Sequence, residues 1–166
     1  MTKRLSTAAT PANIASVLRL LAAAPHMLAD LAALRPPEAL AVPLGVGERS
    51  FLQDVAHLLH CEARTAEAIG LALLLDTPLL PDLHPERDWG RLLRYDLCPC
   101  DELMAYFRLR RVVLLRILHA LTPAQWGRAV SGQGKQRQES VYWLARAQAL
   151  HEQEHIADLT AKMGRA

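Results

Sequence analysis

Apolar residues recur every three to four positions in four long stretches of the chain, and this period predicts four amphipathic helices. The predicted helices cover residues 10–35, residues 50–75, a segment that begins at residue 101, and residues 140–163. Each begins at a side chain that can cap the first turn: Thr10, Ser50, Asp101 and Ser140. Gln53 completes a capping box with Ser50. The core face of the third helix is predicted to hold Leu103, Phe107, Leu114, Ile117, Leu118 and Leu121.

The segments between these helices are rich in proline and glycine and show almost no strand pattern. Residues 36–49 are predicted to be a loop, and residues 76–100 a long crossover with one helical turn around 89–95. A short turn is expected from Thr122 to Trp126, followed by a flexible connection over 131–138. Pro25 is expected to kink or split the first helix. We therefore predict an all-α fold, an antiparallel four-helix bundle with a long crossover loop, forming a single domain over residues 1–166.

Composition and charge argue against several classes of protein, including nucleic-acid-binding, membrane-spanning and disulfide-stabilised proteins. The 166 residues are 51% hydrophobic, which suits one domain with a sizeable core. Nineteen basic and 17 acidic residues are mixed along the chain, so no basic field for nucleic acid is expected. We also expect no membrane span, because the apolar runs are short or interrupted by charge. The three cysteines form an odd and sparse set in which only Cys98 and Cys100 lie close together, which argues against a disulfide framework and favours a cytoplasmic protein.

A helical projection of the second predicted helix, at about 100° per residue, separates its two histidines. His57 lies at the edge of the apolar arc, whereas His60 points the opposite way and is not expected to face the core. Glu62 falls inside the apolar arc, where a bare carboxylate would be costly. Arg110 on the third helix is one candidate partner for Glu62; the alternative is that Arg110 extends to the solvent.

The last helix contains His151-Glu152-Gln153-Glu154-His155, in which two histidines four apart project from one face. This spacing suits two ligands of a single metal ion, and His-Glu-x-x-His is also the zinc-protease signature. Position 158 is Asp158, and the chain offers no downstream third ligand and no strand that would hold a peptide. The protease interpretation is therefore disfavoured, and we expect the third ligand to come from upstream.

Several motifs together resemble one family. Phe51 to Glu62 contains a His-Leu-x-x-x-Glu pattern, and the last helix contains His-x-x-x-His. Pro25, Arg110 and the Leu-Thr-x-x-x-Trp turn that ends at Trp126 also stand in the expected order. This set resembles the DinB-like (YfiT-like) metal-binding four-helix-bundle family. His60 is a departure, because many relatives carry an acidic residue there.

The resemblance implies a bundle, often a homodimer, in which three histidines hold a divalent metal and water completes the site. Residue by residue, it assigns the metal to His57, His151 and His155. Members of the family include thiol-dependent transferases and isomerases and proteins described as metal-dependent hydrolases. Zinc or nickel is expected first, with manganese or iron as alternatives, because imidazole accepts several of these metals.

The chemistry of the candidate residues agrees with a catalytic metal. Three neutral imidazoles with an open position are typical of a catalytic zinc site, where bound water or thiol loses its proton near neutral pH. Glu152 is a candidate to take a proton or orient a histidine; the alternative is an ordinary salt bridge. Two residues are less favoured candidates for metal ligands. Cys61 lies one turn after His57, and His84 lies in the Leu-His-Pro-Glu segment. His26 and His119 are expected to be surface residues.

Two functions remain open from the sequence. The first is a metal-dependent enzyme, whose metal activates water or a low-molecular-weight thiol, as in a hydrolase or a thiol S-transferase. The second is a non-enzymatic, metal-stabilised bundle that acts as a structural or dimeric interaction protein. In either case, the expected partners are a second copy of the chain and a small molecule.

Overall fold

The computed structural model describes residues 5–164, so residues 1–4 and 165–166 of the predicted domain lie outside the described part. Four long helices dominate it and confirm the predicted four-helix bundle: α1 Pro11–Ala32, α2 Phe51–Leu74, α4 Cys100–His119 and α6 Val141–Met163. Two short helices, α3 Arg91–Leu93 and α5 Pro123–Trp126, lie in the connections. A 3-10 turn, Pro37–Ala41, follows α1.

The predicted caps hold at three of the four long helices. Thr10 and Ser140 accept hydrogen bonds from backbone N–H groups of the first turn, and Ser50 and Gln53 form both bonds of the capping box. The Asp101 cap is wrong, because the capping position is Pro99, two residues earlier, and Asp101 lies inside the first turn of α4. Splitting of the first helix is also wrong, since Pro25 lies within an unbroken α1.

A small sheet was missed from the sequence. Strand β1, Leu79–Leu80, pairs in parallel with β2, Ala129–Gly132, and β2 pairs antiparallel with β3, Glu139–Ser140. The predicted flexible connection over 131–138 thus contains the end of β2 and the turn of the β2–β3 hairpin. Strands of two to four residues are too short to show an alternating pattern, so the hydrophobic periodicity contains no signal for them.

The packing of the four long helices determines their relative directions. In the described residues, α1 packs mainly on α4 and α6, and α2 packs mainly on the same two helices, so α1 and α2 lie at opposite corners. One apolar cluster joins the C-terminal halves of α1 and α6 to the N-terminal halves of α2 and α4, and a second cluster joins the other halves. The neighbours α1 and α6 are therefore parallel, as are α2 and α4, whereas the α1–α4 and α2–α6 pairs are antiparallel.

A buried polar layer separates the two apolar clusters. Its centre is Arg111, which donates hydrogen bonds to Glu62, to both carboxylate oxygens of Glu152 and to the Leu21 carbonyl oxygen. Arg110, the predicted partner of Glu62, contributes a longer contact of 3.5 Å from Nε to Oε1. The main partner of Glu62 is the next residue, because Arg111 is the arginine that points into the bundle, with 2% of its surface exposed.

The long crossover between α2 and α4 folds back along the bundle and covers α2. The crossover contains more regular secondary structure than the single helical turn predicted at residues 89–95. A π-helical turn, Pro85–Gly90, leads into α3, and a 3-10 turn, Tyr95–Leu97, follows. Both turns pack on α2. They enclose His60, whose ring stacks on Tyr95 at a centroid distance of 5.1 Å. The expectation that His60 is not buried is therefore wrong, because the covering comes from a segment without helical periodicity.

Helix α1 is long and apolar enough to cross a membrane by length and composition alone, which is also true of many core helices. One side of it is buried in the bundle through Val17, Leu21, Ala24, Leu28 and Leu31.

On α4, Ile117 is 41% exposed, so its predicted place in the core is wrong.

Candidate metal centre

Three histidine rings from α2 and α6 meet at one place in the bundle. The ring centroids of His57 and His151 lie 5.0 Å apart, those of His57 and His155 4.8 Å, and those of His151 and His155 4.6 Å. His151 and His155 share a face because they are one helical turn apart. The structure thus brings the three predicted ligands together, although their binding of a metal stays a prediction.

The spacing of the ring nitrogens fits a shared ion. Nε2 of His57 lies 3.3 Å from Nε2 of His151. Two imidazole nitrogens at zinc–nitrogen distances of about 2.0–2.1 Å in tetrahedral geometry would be about 3.3–3.4 Å apart. A long hydrogen bond between the two rings would have the same length, so metal analysis distinguishes the two interpretations.

Carboxylates hold the outer sides of two of these rings. Nδ1 of His57 contacts Oε1 of Glu86, and Nδ1 of His155 lies 3.3 Å from Oδ1 of Asp54. Arg49 approaches both acids, at 3.5 Å from Asp54 and 3.7 Å from Glu86. Metal-bound histidines commonly donate their second ring N–H to a carboxylate in this way, which fixes the ring with the other nitrogen towards the ion.

These outer residues were missed from the sequence. Glu86 lies on the crossover, 29 positions after His57. The crossover has no helical periodicity from which its contact with α2 could be predicted. Asp54 could have been found, because it precedes His57 by nearly one turn of the same helix. Burial would raise the pKa of Asp54, but the hydrogen bond and charge of His155 and the charge of Arg49 outweigh it and lower this pKa.

Cys61 is a competing donor. Its Sγ lies 3.7 Å from His57 Nε2, and His57, Cys61 and His151 offer ligand atoms that all lie within 4.8 Å of one another. Burial, with the nearby charge of Glu86, raises the pKa of Cys61 to about 12, so the free thiol is protonated at neutral pH. A bound metal would favour the thiolate. The structure therefore supports a possible His-Cys-His cluster; His155 is not part of this group of ligand atoms, and the three-histidine set stays a prediction.

Two other candidates lie apart from the cluster. Glu152 is fully buried, and its hydrogen bonds within the described part of the chain go to Arg111 and Gln148. Its predicted catalytic role is untested, and these contacts favour the alternative of a structural ion pair. His84 is exposed and uses Nδ1 to accept hydrogen bonds from the backbone N–H groups of Glu86 and Arg87, so it caps the π-helical turn.

Burial favours the neutral form of His57 and His151. It lowers the pKa of His57 despite the contact with Glu86, and it lowers the pKa of His151 to about 4, with further contributions from the positive charge of His155 and His57. Neutral imidazole is the form that binds metals. His57 and His151 are therefore mainly in the metal-binding neutral form at pH 7, and His151 remains so at lower pH.

A pocket of about 430 Å³ opens beside His57. The crossover forms one wall and α2 the other. The residues around it are Arg49, Gln53, Ala56, His57, His60, Glu86, Gly90, Arg91, Arg94 and Asp96. This volume lies in the range of pockets that bind small molecules.

Comparison with solved structures gives a match over nearly the whole chain. YfiT from Bacillus subtilis is described as "a probable metal-dependent hydrolase with an unusual four-helix bundle topology". It superposes with a TM-score of 0.83 at 18% identity, covering 97% of this chain and 93% of YfiT. At that identity the match establishes the fold. No match was found among curated proteins. The profile of the DinB superfamily matches residues 20–159, and the chain therefore belongs to the DinB superfamily.

Proposed function

We propose that this protein is a divalent-metal-dependent enzyme that acts on a small molecule by hydrolysis or by transfer to a thiol. The observation that carries the proposal is the convergence of His57, His151 and His155 with their ring centroids 4.6–5.0 Å apart. The description of YfiT as a probable metal-dependent hydrolase supports the same chemistry.

In this proposal, His57 and His151 hold the metal through Nε2, and His155 is the third ligand. Glu86 and Asp54 orient the rings by binding Nδ1 of His57 and His155. A divalent metal bound there would supply an activated water or thiolate near neutral pH. The pocket beside His57 would hold the small molecule and limit its contact with bulk water.

The first test is the metal content of the purified protein. We expect about one equivalent of a divalent metal, and loss of most of it in His57→Ala and His151→Ala. His26→Ala is the matched control, because His26 is exposed on α1 and should leave the metal content unchanged. Less than about a tenth of an equivalent, with no uptake of added zinc or nickel, would contradict the proposal.

The second test separates the ligand sets and the reactions. Cobalt-loaded protein should lack a thiolate-to-cobalt absorption band if His155 is the third ligand, and should show one if Cys61 is. The zinc-loaded protein should then turn over members of an ester, amide and thiol-acceptor panel, and His151→Ala should not. A fully loaded protein that is inactive across the panel would favour the non-enzymatic alternative.

A second proposal concerns assembly. Helix α4 presents an apolar stripe to the solvent, with Leu109 62% and Val112 54% exposed and with Val113 and Ile117 beside them. Exposed apolar stripes of this kind are typical of interaction surfaces. We propose that a second copy of the chain packs there. Light scattering should show a dimer for the wild type and a monomer for Val113→Glu, whereas Leu74→Glu, at a side chain outside the stripe, should remain dimeric.

A further inference from the structure

His60 is a buried histidine that lacks hydrogen-bond partners. Only 4% of its surface is exposed, and neither ring nitrogen has a hydrogen-bond partner among residues 5–164. Glu86 Oε1, 4.0 Å from Nδ1, is too distant for such a bond. Buried polar groups are nearly always paired, and an exception calls for an explanation.

The ring of His60 forms part of the wall of the pocket beside His57. Two neighbours hold the His60 ring in position. Tyr95 stacks on the ring, and Gly90 packs so closely that a Cβ at Gly90 would lie 3.3 Å from Cε1 and Nδ1 of His60. His60 is therefore held in place beside the pocket. Burial also lowers its pKa, so that at neutral pH one ring nitrogen can donate and the other can accept.

The charges around the pocket favour an anion. Three arginines and two carboxylates line it. Arg94 is paired with Asp96, and Glu86 is paired with His57 and approached by Arg49. Arg91 forms no ion pair with any residue that the structure describes. A guanidinium without a carboxylate partner, lining the same pocket as an unpartnered N–H donor, is suited to bind an oxyanion.

We propose that His60 and Arg91 form a subsite that binds the oxyanion group of the substrate, a carboxylate or a phosphate, through a hydrogen bond from His60 and the charge of Arg91. The inference rests on the proposed function, because the reacting group of the same molecule would lie at the histidine cluster beside this pocket. It assigns the substrate to the class of small anionic molecules. His60 then acts as a binding residue and is not a metal ligand.

The experiment titrates malonate, inorganic phosphate and neutral malonamide into zinc-loaded and metal-free protein, with calorimetry as the readout. We expect at least one of the two anions to bind and malonamide to bind much more weakly. His60→Phe, which keeps an aromatic ring against Tyr95, should weaken anion binding about tenfold. Arg91→Gln should weaken it about fivefold. His60→Gln should retain part of the affinity, because its amide can still donate.

Arg87→Gln is the matched control, since Arg87 lies on the same segment but is exposed and paired with Asp88. Its anion affinity should stay within about twofold of the wild type. Equal binding of malonamide and malonate, or unchanged anion affinity in both His60→Phe and Arg91→Gln, would overturn the inference. Because Arg91 is exposed, Arg91→Gln should fold even if a change at His60 does not.

Metal content separates this inference from the proposed function. His60→Phe should bind as much zinc as the wild type, and loss of zinc in that variant would identify His60 as a ligand and overturn the subsite. If the wild type binds no metal but the anion results hold in metal-free protein, the subsite stands and the proposed function fails. If metal binds and the anion results fail, only the subsite is wrong.

Discussion

Glu86 is the residue through which the crossover reaches the candidate metal centre. It contacts His57 Nδ1, and the same carboxylate lies near Arg49. Glu86→Gln weakens this contact and leaves the ring of His57 less firmly oriented. We therefore expect zinc affinity to fall about 10–100-fold, measured by competition with a chromophoric chelator.

The control is Asp82→Asn, an exposed acid of the same crossover, which should leave zinc affinity unchanged. The charge of the chain changes equally in both variants, so a general electrostatic effect would appear in both. Equal affinities in Glu86→Gln and the wild type would show that the carboxylate does not support the ligand.

His151 makes the stability of the metal-free protein depend on pH. Its pKa is lowered from 6.5 to about 4 in the folded state, so the unfolded chain takes up the proton more readily. The contribution is constant above 6.5, and stability is lost as the pH falls from 6.5 towards about 4. Urea unfolding at a series of pH values should give a shallower loss for His151→Gln than for the wild type. His26→Gln should keep the wild-type slope, and an unchanged slope in His151→Gln would refute the assignment.

At the scale of single residues, the sequence was most informative where one helix determines direction. His151 and His155 share a face because of the helical period, and His57 falls at the edge of an apolar arc. Arg110 was named as the candidate partner of Glu62, but neighbouring positions differ by about 100°, and the packing of α4 turns Arg111 inwards. His60 and Glu86 could not be placed, since the first is buried by the crossover and the second is brought to the site by it.

At the scale of elements, the start of α2 controls the position of one ligand. Ser50 accepts a hydrogen bond from the Gln53 N–H, and the Gln53 side chain accepts one from the Ser50 N–H. Ser50→Ala should reduce the free energy of unfolding by about 1 kcal/mol, measured by urea denaturation. Ser50→Gly should cost only a few tenths of a kcal/mol, and equal losses in both variants would argue against a capping effect.

Elements were predictable where caps and periodicity agree. The starts at Thr10, Ser50 and Ser140 were found because each offers a side-chain acceptor before an apolar period. Two features had no such signal. The sheet consists of strands of two to four residues that are stabilised by pairing with distant segments. The turns of the crossover form where α2 provides a surface for them to pack on.

At the scale of the whole molecule, the polar layer around Arg111 joins the two halves of the core. Burial raises the pKa of Glu62, whereas the charges of Glu152 and Glu62 raise the pKa of Arg111 over the opposing effect of its own burial. Arg111→Leu leaves two buried carboxylates without their main partner. We expect a loss of about 3–5 kcal/mol in the free energy of unfolding at pH 7, measured by urea denaturation.

The matched control is Arg116→Leu, an exposed arginine on the same helix, which should change stability by no more than about 0.5 kcal/mol. If Arg111→Leu behaved like this control, the layer would be replaceable by apolar contacts and would contribute little to stability.

The parallel packing of α1 against α6 has a consequence for folding. The first and last helices of the described chain contact each other, and Tyr142 and Arg146 bind the Ser6 and Leu5 carbonyl oxygens across 136 and 141 positions. Such contacts raise the average sequence separation, which slows folding. During synthesis, α1, α2 and α4 must wait for α6 to leave the ribosome before the bundle can close. The histidine cluster is therefore completed only when α6 has been made, after the apolar surfaces of α1, α2 and α4 have already left the ribosome.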